Sequence, residues 1–313
     1  MAENDESELP AHEEESPMRA ASMAIPPPVK TPMYQAKNAE RYLRQARIKQ
    51  IQQASGCRLL CYTAGNGARI NREDIIGIVE LLHNVPRNSN IDLMLHTGGG
   101  DIDAAEKIVA ILRTCVGSAR FRVIVPDFAK SAGTLIALAA DEIVMSDSSE
   151  LGPIDPQFLK RDGEGNARWH SVLSYLNAYE ALSQRLRDAP EDVPARIMIS
   201  KLDYTTVVQF EAVKNRARKL AEEHLNRWMF QKRKGNYTQI ATELMDTNKW
   251  PAHGQMINWE DAEEMGLEVK HLDPAGEEWR AYWSLFCLER LAVKDHENLF
   301  ESDYASLPME NPS

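Results

Sequence analysis

A chain of 313 residues with a formal net charge of −11 is long enough to bury a sizeable core. Its acidic balance argues against nonspecific nucleic-acid binding, which needs a basic surface. The cysteines Cys57, Cys61, Cys115 and Cys287 have neither metal-ligand nor CxxC spacing, so they predict reduced thiols and no metal site. The acidic N-terminus lacks the apolar region of a signal peptide, and no window is long enough to span a membrane. The expected location is the cytoplasm.

The composition divides the chain into four parts. Residues 1–33 are rich in Glu, Pro, Ser and Ala and contain IPPPVKTP, which predicts a disordered tail. Residues 34–55 have the pattern of a basic amphipathic helix, either a solvated surface helix or a lid or subunit contact. Residues 56–285 predict the folded domain, in which strands and helices alternate to about residue 155 and helices dominate thereafter. Residues 286–313 predict a C-terminal tail that is loose from about residue 295.

Strands and helices succeed each other regularly in the first half of the predicted domain. Apolar runs predict strands at RLLCYT, IDLMLHT, FRVIVP and DEIVM, which begin at residues 58, 91, 121 and 141. Amphipathic or small-residue helices fill the intervals between them. This succession predicts an α/β fold with a parallel sheet and right-handed crossovers. Ligands bind at the carboxyl ends of the strands in such sheets.

Two unusual segments fall at those carboxyl ends. Gly98–Gly100 follow the second strand, and their amides suit either a phosphate or an oxyanion. The segment is neither GxGxxG nor a Walker loop, which favours the oxyanion. Ser131 follows the third strand in AKSAG, close to the GxSxG pattern of a nucleophile at a strand-to-helix turn. A serine that starts a helix is ordinarily a cap, but the glycines one strand earlier favour a nucleophile.

These segments carry a family resemblance. HTGGGDIDAAEKI resembles the glycine segment of the Clp protease proteolytic subunit and of signal peptide peptidase A, and AKSAGTLIALAADEIVMSDSSELGPIDPQ resembles their serine segment. LGPIDPQ, with the later HGQMINWEDAEEMGLEV, is most similar to the serine dehydrogenase proteinase family. The resemblance covers roughly residues 56–270. It implies the Clp/crotonase fold with repeated β-β-α units, two roughly perpendicular sheets and a helical C-terminal portion, in a homo-oligomer without a cofactor.

The resemblance also implies an activity. Peptide bonds of a polypeptide substrate would be hydrolysed through an acyl-enzyme on Ser131, with backbone amides of Gly99 or Gly100 and of Ala132 as the oxyanion hole. The fold usually binds its substrate as an extended strand. Two rivals stay open, a crotonase-like enzyme acting on acyl thioesters and a noncatalytic scaffold that lost its base.

The general base is the weakest part of the resemblance. The Clp subunit uses a histidine on the strand after the serine helix, but SSELGPID contains none. Signal peptide peptidases use a desolvated lysine further along, ahead of a long helix. Lys201, in MISKLDYTT, best fits that position and predicts a Ser-Lys dyad. Lys160 and His170 are the alternatives.

Four other residues near the motifs are interpreted as structural. Lys130 adjoins Ser131, but neighbouring side chains diverge at such a turn. His96 precedes the glycines and is expected to orient their loop. His253, in PAHGQ, is expected to set up the following helix. Asp155 is interpreted as a turn former before a proline, although it is also placed to orient a base.

Overall fold

The structure is a computed structural model that describes residues 30–161, 165, 167–232 and 234–311. The chain divides into two compact units, residues 1–39 and residues 40–313. In the first unit, helix α1 (Pro32–Lys37) begins where the Thr31 side chain accepts a hydrogen bond from the Tyr34 N–H. Residues 1–29, which make up most of the predicted disordered tail, lie outside the described residues.

Ten further α-helices lie in the described part of the remaining chain. They are α2 (Ala39–Ser55), α3 (Asp74–Leu82), α4 (Ile102–Val116), α5 (Ala132–Ala137), α6 (Val172–Asp188), α7 (Val193–Ile199), α8 (Tyr204–His224), α9 (Tyr237–Glu243), α10 (Trp259–Glu264) and α11 (Glu277–Ala292). A π-helical turn, Leu225–Met229, continues α8. Within the described ranges, no helix combines the length and the apolar character needed to cross a membrane.

A seven-stranded sheet forms the centre of the second unit. Its strands are β1 (Arg58–Ala64), β2 (Ile91–His96), β3 (Phe121–Ile124), β5 (Glu142–Met145), β9 (Val269–His271), β10 (Glu297–Glu301) and β11 (Ser306–Glu310). The spatial order is β11-β10-β1-β2-β3-β5-β9. Five of these strands run parallel to one another, namely β1, β2, β3, β5 and β9. Strand β10 pairs antiparallel with both β1 and β11. This mostly parallel sheet confirms the predicted α/β fold class.

Apolar side chains fill both faces of the sheet. Leu60 and Tyr62 of β1 enter a large core that also contains α3, α4 and α5, whereas Leu59 and Cys61 enter a smaller core with α2 and α11. Because both faces are covered, β2 and β3 are buried over their whole length. This burial explains why these strands are mostly apolar rather than alternating, and why their charged residues Asp92 and Arg122 pair with each other at 2.6 Å.

A second, small sheet lies at the carboxyl ends of the main strands. It pairs β4 (Phe128–Ala129) with β6 (Glu150–Leu151) in parallel. Single bridges extend it from Ala129 to Thr97 and from Leu151 to Ile257. Thus β2 and β3 each continue into an extended segment of the second sheet before a helix begins. This arrangement is the repeated β-β-α unit that the resemblance implies.

One prediction about the second half of the chain is wrong, and another was incomplete. The C-terminal residues are not a loose tail, because β10 pairs with β1 and places Phe300 in the large core, 4.6 Å from the Tyr62 ring. The region beyond residue 156 is mostly helical, as predicted, but it also contains an unpredicted hairpin of β7 (Gln157–Arg161) and β8 (Ala167–Ser171). Both features depend on pairing between strands that are short and carry little local signal.

Candidate active site

Ser131 occupies a strained turn between β4 and α5. Its backbone angles are φ 51° and ψ −111°, a conformation that side-chain-bearing residues rarely adopt. Ser131 stands at the N-cap position of α5, yet its hydroxyl makes no capping hydrogen bond. The side chain is half-buried and lines a cavity. The helix-cap interpretation therefore does not account for this serine.

Backbone hydrogen bonds fix the turn on both sides of Ser131. The Lys130 N–H donates to the Thr97 carbonyl at 3.0 Å, and the Gly133 N–H donates to the Lys130 carbonyl at 2.7 Å. The buried Thr134 hydroxyl lies 2.8 Å from the carbonyl oxygen of Ala129. Such surrounding contacts are what allow a strained conformation to persist.

The glycine loop after β2 packs directly against this turn. Gly99 has φ 94°, and a Cβ there would lie 2.7 Å from the Lys130 carbonyl oxygen and 2.9 Å from the Ser131 Cβ. A Cβ on Gly100, with φ 154°, would lie 2.3 Å from the Ile70 carbonyl oxygen. Neither position has room for a side chain. The two motifs identified in the sequence therefore meet, as the carboxyl-end argument predicts.

The amides of this region differ in what they bind. The Gly99 N–H donates to the Thr97 hydroxyl at 3.1 Å. Among the described residues, neither the Gly100 N–H nor the Ala132 N–H donates to a protein acceptor. Ala132 is the first residue of α5, where helical N–H groups have no partner within the helix. The N–H groups of Gly100 and Ala132 are thus two available backbone donors, each one residue beyond the contact between Gly99 and Ser131.

A cavity of about 950 Å³ connects the elements around Ser131. The glycine loop contributes Gly98 and Gly100, the β7–β8 hairpin contributes Trp169, and helix α8 contributes Val213. His253 enters from the loop between α9 and α10. The volume lies within the range of pockets that take small molecules or short peptide segments.

The predicted bases are not brought to this cavity. Lys201 is exposed between α7 and α8. Lys160 and His170 are exposed on the β7–β8 hairpin, where the His170 ring lies 5.6 Å from the Phe158 ring. None of the three lines the cavity that contains Ser131. His170 stands on a strand rather than in the helical segment expected from the sequence.

Lys130 is buried, and its ammonium group is already engaged. Its Nζ lies 3.0 Å from a carboxylate oxygen of Glu150. It also donates to the carbonyl oxygens of Leu151, Gly254 and Gln255 at 3.4, 3.3 and 3.2 Å. Its contacts are those of a structural cation that holds the loop around His253.

His96 is a buried aromatic-packed residue. Its ring lies 4.1 Å from the Phe128 ring and 5.0 Å from the Phe286 ring. Burial, together with a smaller effect of the Arg290 charge, lowers the pKa of His96 to about 3. The imidazole is therefore neutral at physiological pH, and it is absent from the lining of the Ser131 cavity.

His253 and Asp155 form a pair at the cavity that sequence reasoning missed. His253 Nδ1 lies 3.6 Å from Asp155 Oδ2, with exposed side-chain fractions of 27% and 8%. The other carboxylate oxygen, Oδ1, accepts a hydrogen bond from the Ser171 hydroxyl at 2.6 Å. The sequence offered one signal, the position of Asp155 shortly after the serine motif, but nothing linked it to His253.

The central part of the chain matches a known family. Residues 68–168 match the model of the family described as ClpP-like SDH-type serine proteinases. The matched segment includes the glycine loop, Ser131 and Asp155, and it ends before His253. For this segment the match confirms the family resemblance that the sequence indicates, and it supports a serine peptidase.

Two relatives come from Methanocaldococcus jannaschii. The chain is 32% identical over 204 residues to the uncharacterized protein MJ0137, an alignment that covers 64% of this chain and 60% of that protein. It is 37% identical over 119 residues to the uncharacterized protein MJ1495, covering 38% and 37% of the two chains. The chain thus spans less than two thirds of the length of either relative.

Two solved structures of the 1510-N membrane-bound stomatin-specific protease are also similar. A serine-to-alanine mutant is 17% identical, with 69% of this chain and 81% of that chain covered and a TM-score of 0.40. A lysine-to-alanine mutant in complex with a substrate peptide is 14% identical, with 74% and 99% covered and a TM-score of 0.37. At these values the likeness carries no argument about the site of this chain.

Proposed function

We propose that this chain is a serine peptidase that hydrolyses peptide bonds through an acyl-enzyme on Ser131. The turn at Ser131 carries the proposal, because a strained serine with φ 51° lines a cavity while its hydroxyl caps nothing. Strain of this kind is characteristic of a nucleophile at a strand-to-helix turn. The match of residues 68–168 to a serine proteinase family supports the same chemistry.

In this proposal, two backbone amides stabilise the oxyanion of the tetrahedral intermediate. The N–H groups of Gly100 and Ala132 are the donors, since each lacks a protein acceptor among the described residues. The Gly99 N–H is engaged by Thr97, so Gly99 contributes by letting the loop approach the Ser131 Cβ. Preorganised amides of this kind lower the barrier to acyl transfer by several kcal/mol.

The proposed substrate is a polypeptide in extended form. The cavity offers backbone from the glycine loop on one side and apolar surface from Trp169 and Val213 on another, a combination that suits a bound strand. The Ser-Lys dyad with Lys201 remains a prediction from the family resemblance, as do self-assembly and the cytoplasmic location. The proposal for Ser131 does not depend on them.

The first test is labelling of the purified protein with a fluorophosphonate, which phosphonylates activated serines. We expect the wild-type chain to label with one equivalent and to cleave an unfolded polypeptide such as casein. Ser131→Ala should abolish both reactions. The matched control is Ser118→Ala, which removes an exposed serine from the turn after α4 and should label as the wild type does.

Two results would count against the proposal. If the folded wild type does not label at any protein concentration, Ser131 is not an activated nucleophile, and a noncatalytic scaffold or an acyl-thioester enzyme becomes the better explanation. If Ser131→Ala labels as fast as the wild type, the reactive serine lies elsewhere.

A further inference from the structure

We infer that His253 is the general base for Ser131 and that Asp155 is its positioning residue. The inference rests on the proposed function, because a base is needed only if Ser131 is a nucleophile. It replaces the predicted Ser-Lys dyad by a triad whose histidine lies outside the segment that matches the family. The starting observation is that Ser131 and His253 line one cavity.

The loop that carries His253 is fastened at its base to the residue before the nucleophile. A turn closes where the Gln255 N–H donates to the Ala252 carbonyl at 2.9 Å. The Lys130 ammonium group binds the carbonyl oxygens of Gly254 and Gln255. One side chain thus ties the residues that follow His253 to the residue that precedes Ser131.

The other end of the loop belongs to the same small sheet as the nucleophile turn. Ile257 and Leu151 exchange two backbone hydrogen bonds of 2.9 and 3.0 Å. Leu151 pairs in turn with Ala129, two residues before Ser131. The loop and the nucleophile turn are therefore held by one rigid element, which is the condition for a reproducible distance between base and nucleophile.

Asp155 is placed to fix the imidazole in the tautomer that a base requires. Its Oδ1 is occupied by the Ser171 hydroxyl, whereas its Oδ2 lies 3.6 Å from His253 Nδ1. This nitrogen is buried and has no hydrogen-bond partner among the described residues. The separation is longer than a formed hydrogen bond, as is common at catalytic pairs before substrate binds. A proton on Nδ1 leaves Nε2 with a free lone pair.

Several elements bring charged groups to the cavity and the loop: besides Asp155 and Lys130 they are Arg69, Asp101 and the Arg216–Asp103 pair. Asp155 faces the imidazole, and Lys130 lies under the loop with its charge offset by Glu150 at 3.0 Å. No lysine or arginine competes with His253 for the Asp155 carboxylate among the described residues. The carboxylate is therefore available to stabilise the imidazolium ion that forms when Ser131 loses its proton.

The chemistry balances with these groups and water alone. Ser131 Oγ forms a bond to the substrate carbonyl carbon, and its proton passes to His253 Nε2. The C–N bond then breaks, and Nε2 returns the proton to the leaving amine. Water attacks the acyl carbon and gives its proton to Nε2. The ester bond to Ser131 breaks, and Ser131 recovers that proton.

The test compares fluorophosphonate labelling rates in the full chain. We expect His253→Gln to label at least 100-fold more slowly than the wild type, since removing a general base typically costs that much. Asp155→Asn should slow labelling at least tenfold, because an amide at this position favours the wrong tautomer. Asp155→Glu should recover part of the rate. The matched control is His271→Gln. It removes an imidazole that lies 2.8 Å from Asp147 and does not line the cavity.

The pH profile separates a base from a structural histidine. An imidazole can accept the proton of Ser131 only in its neutral form. The wild-type labelling rate should therefore fall at acidic pH, and His253→Gln should lose that dependence. A histidine that only supports the loop would lower the rate at every pH without removing the dependence.

Each outcome decides between the two claims. If the wild type labels and His253→Gln labels at the same rate, the inference is overturned and the peptidase proposal stays intact. Loss of labelling in Lys201→Ala with normal labelling in His253→Gln would restore the Ser-Lys dyad. A folded wild type that never labels overturns the proposed function, and the role of His253 falls with it.

Discussion

The backbone of Ser131 stores strain that its own side chain does nothing to relieve. A residue at φ 51° and ψ −111° costs the fold on the order of 1–3 kcal/mol. The contacts that hold it there come from Lys130, Gly133 and the glycine loop rather than from the hydroxyl. A cap would have been the low-energy use of a serine at the start of a helix, so the hydroxyl is available for another role.

Glu289 is a second residue kept in an unfavourable state, on the opposite face of the main sheet. Its side chain is fully buried beside β1, and burial raises the pKa of Glu289 to about 8. The Thr63 hydroxyl, which donates a hydrogen bond at 2.6 Å, opposes that rise only in part. Glu289 Oε1 has no hydrogen-bond partner among the described residues. The carboxyl is therefore mostly protonated at neutral pH.

This raised pKa makes the stability of the protein depend on pH. In the unfolded chain Glu289 ionises near the ordinary glutamate pKa of 4.5, whereas the folded chain holds the proton up to about pH 8. The folded state therefore binds more protons between these values, and stability falls as the pH rises. For Glu289 the loss from pH 5 to pH 7.5 is about 3 kcal/mol.

Glu289→Gln should remove that part of the pH dependence. Urea unfolding at pH 5 and at pH 7.5 measures it. We expect the decline in the free energy of unfolding to be about 3 kcal/mol smaller in the variant than in the wild type. The control is Glu278→Gln, an exposed carboxyl on the same helix. Equal declines in Glu289→Gln and in the wild type would show that Glu289 is ionised in the folded protein.

At the scale of elements, the alternating half of the chain was predictable because each element carries a local signal. The strands at 58, 91 and 121 are continuous apolar runs, and the helices between them are periodic. The meeting of the glycine loop with Ser131 followed from the rule that parallel strands present their carboxyl ends at one edge. The fold class and the position of the turn at Ser131 were therefore accessible from sequence.

The elements that were missed depend on contacts between distant residues. Strand β10 begins within the polar segment KDHEN and becomes buried by pairing with β1. The loop around His253 reads locally as a turn and nothing more. Its position beside Asp155 results from bonds to Leu151 and Lys130 that no local pattern reports. The choice of Lys201 as the base came from the family resemblance rather than from a local pattern, and it stays a prediction.

Lys130 makes the link between loop and nucleophile testable. Lys130→Met keeps the aliphatic chain, which packs against Gly152, and removes the ammonium group that binds Gly254 and Gln255. We expect faster hydrogen exchange at the amides of Gln255 and Ile257, because the loop opens more often. Fluorophosphonate labelling should slow at least tenfold if that loop carries the base.

The control for this experiment is Lys107→Met, which removes an exposed lysine from α4. It should change neither the exchange of the loop nor the labelling rate. Unchanged exchange in Lys130→Met would mean that the Leu151–Ile257 bridge holds the loop without help. Faster exchange with an unchanged labelling rate would separate the loop from the chemistry and would count against His253.

At the scale of the whole second unit, elements from its two ends are joined across the smaller core. Arg44 of α2 donates two hydrogen bonds to the Glu301 carboxylate of β10, at 2.5 and 3.1 Å. Their side chains are 7% and 0% exposed. Glu301 stands opposite Cys61 in the β1–β10 register, next to Glu289. The pair lies on the face of the sheet away from Ser131, so it tests the scaffold separately from the site.

Arg44→Ala should destabilise the protein by about 3–5 kcal/mol, because it leaves the Glu301 charge buried without its partner. Urea unfolding gives this value. The double variant Arg44→Met, Glu301→Leu should return close to wild-type stability, since an apolar pair of similar volume needs no compensation.

Lys270→Met, which breaks an exposed pair with Glu278 at 3.0 Å, should cost less than about 1 kcal/mol. Labelling of Ser131 should be unchanged in the folded fraction of all three variants, because none of these residues lines the cavity. If labelling is lost in both Arg44 variants, including the double variant of near wild-type stability, the two faces of the sheet are coupled. The strained turn would then depend on the way α2 and β10 close the smaller core, and the site could not be treated as a local feature of the glycine loop and its neighbours.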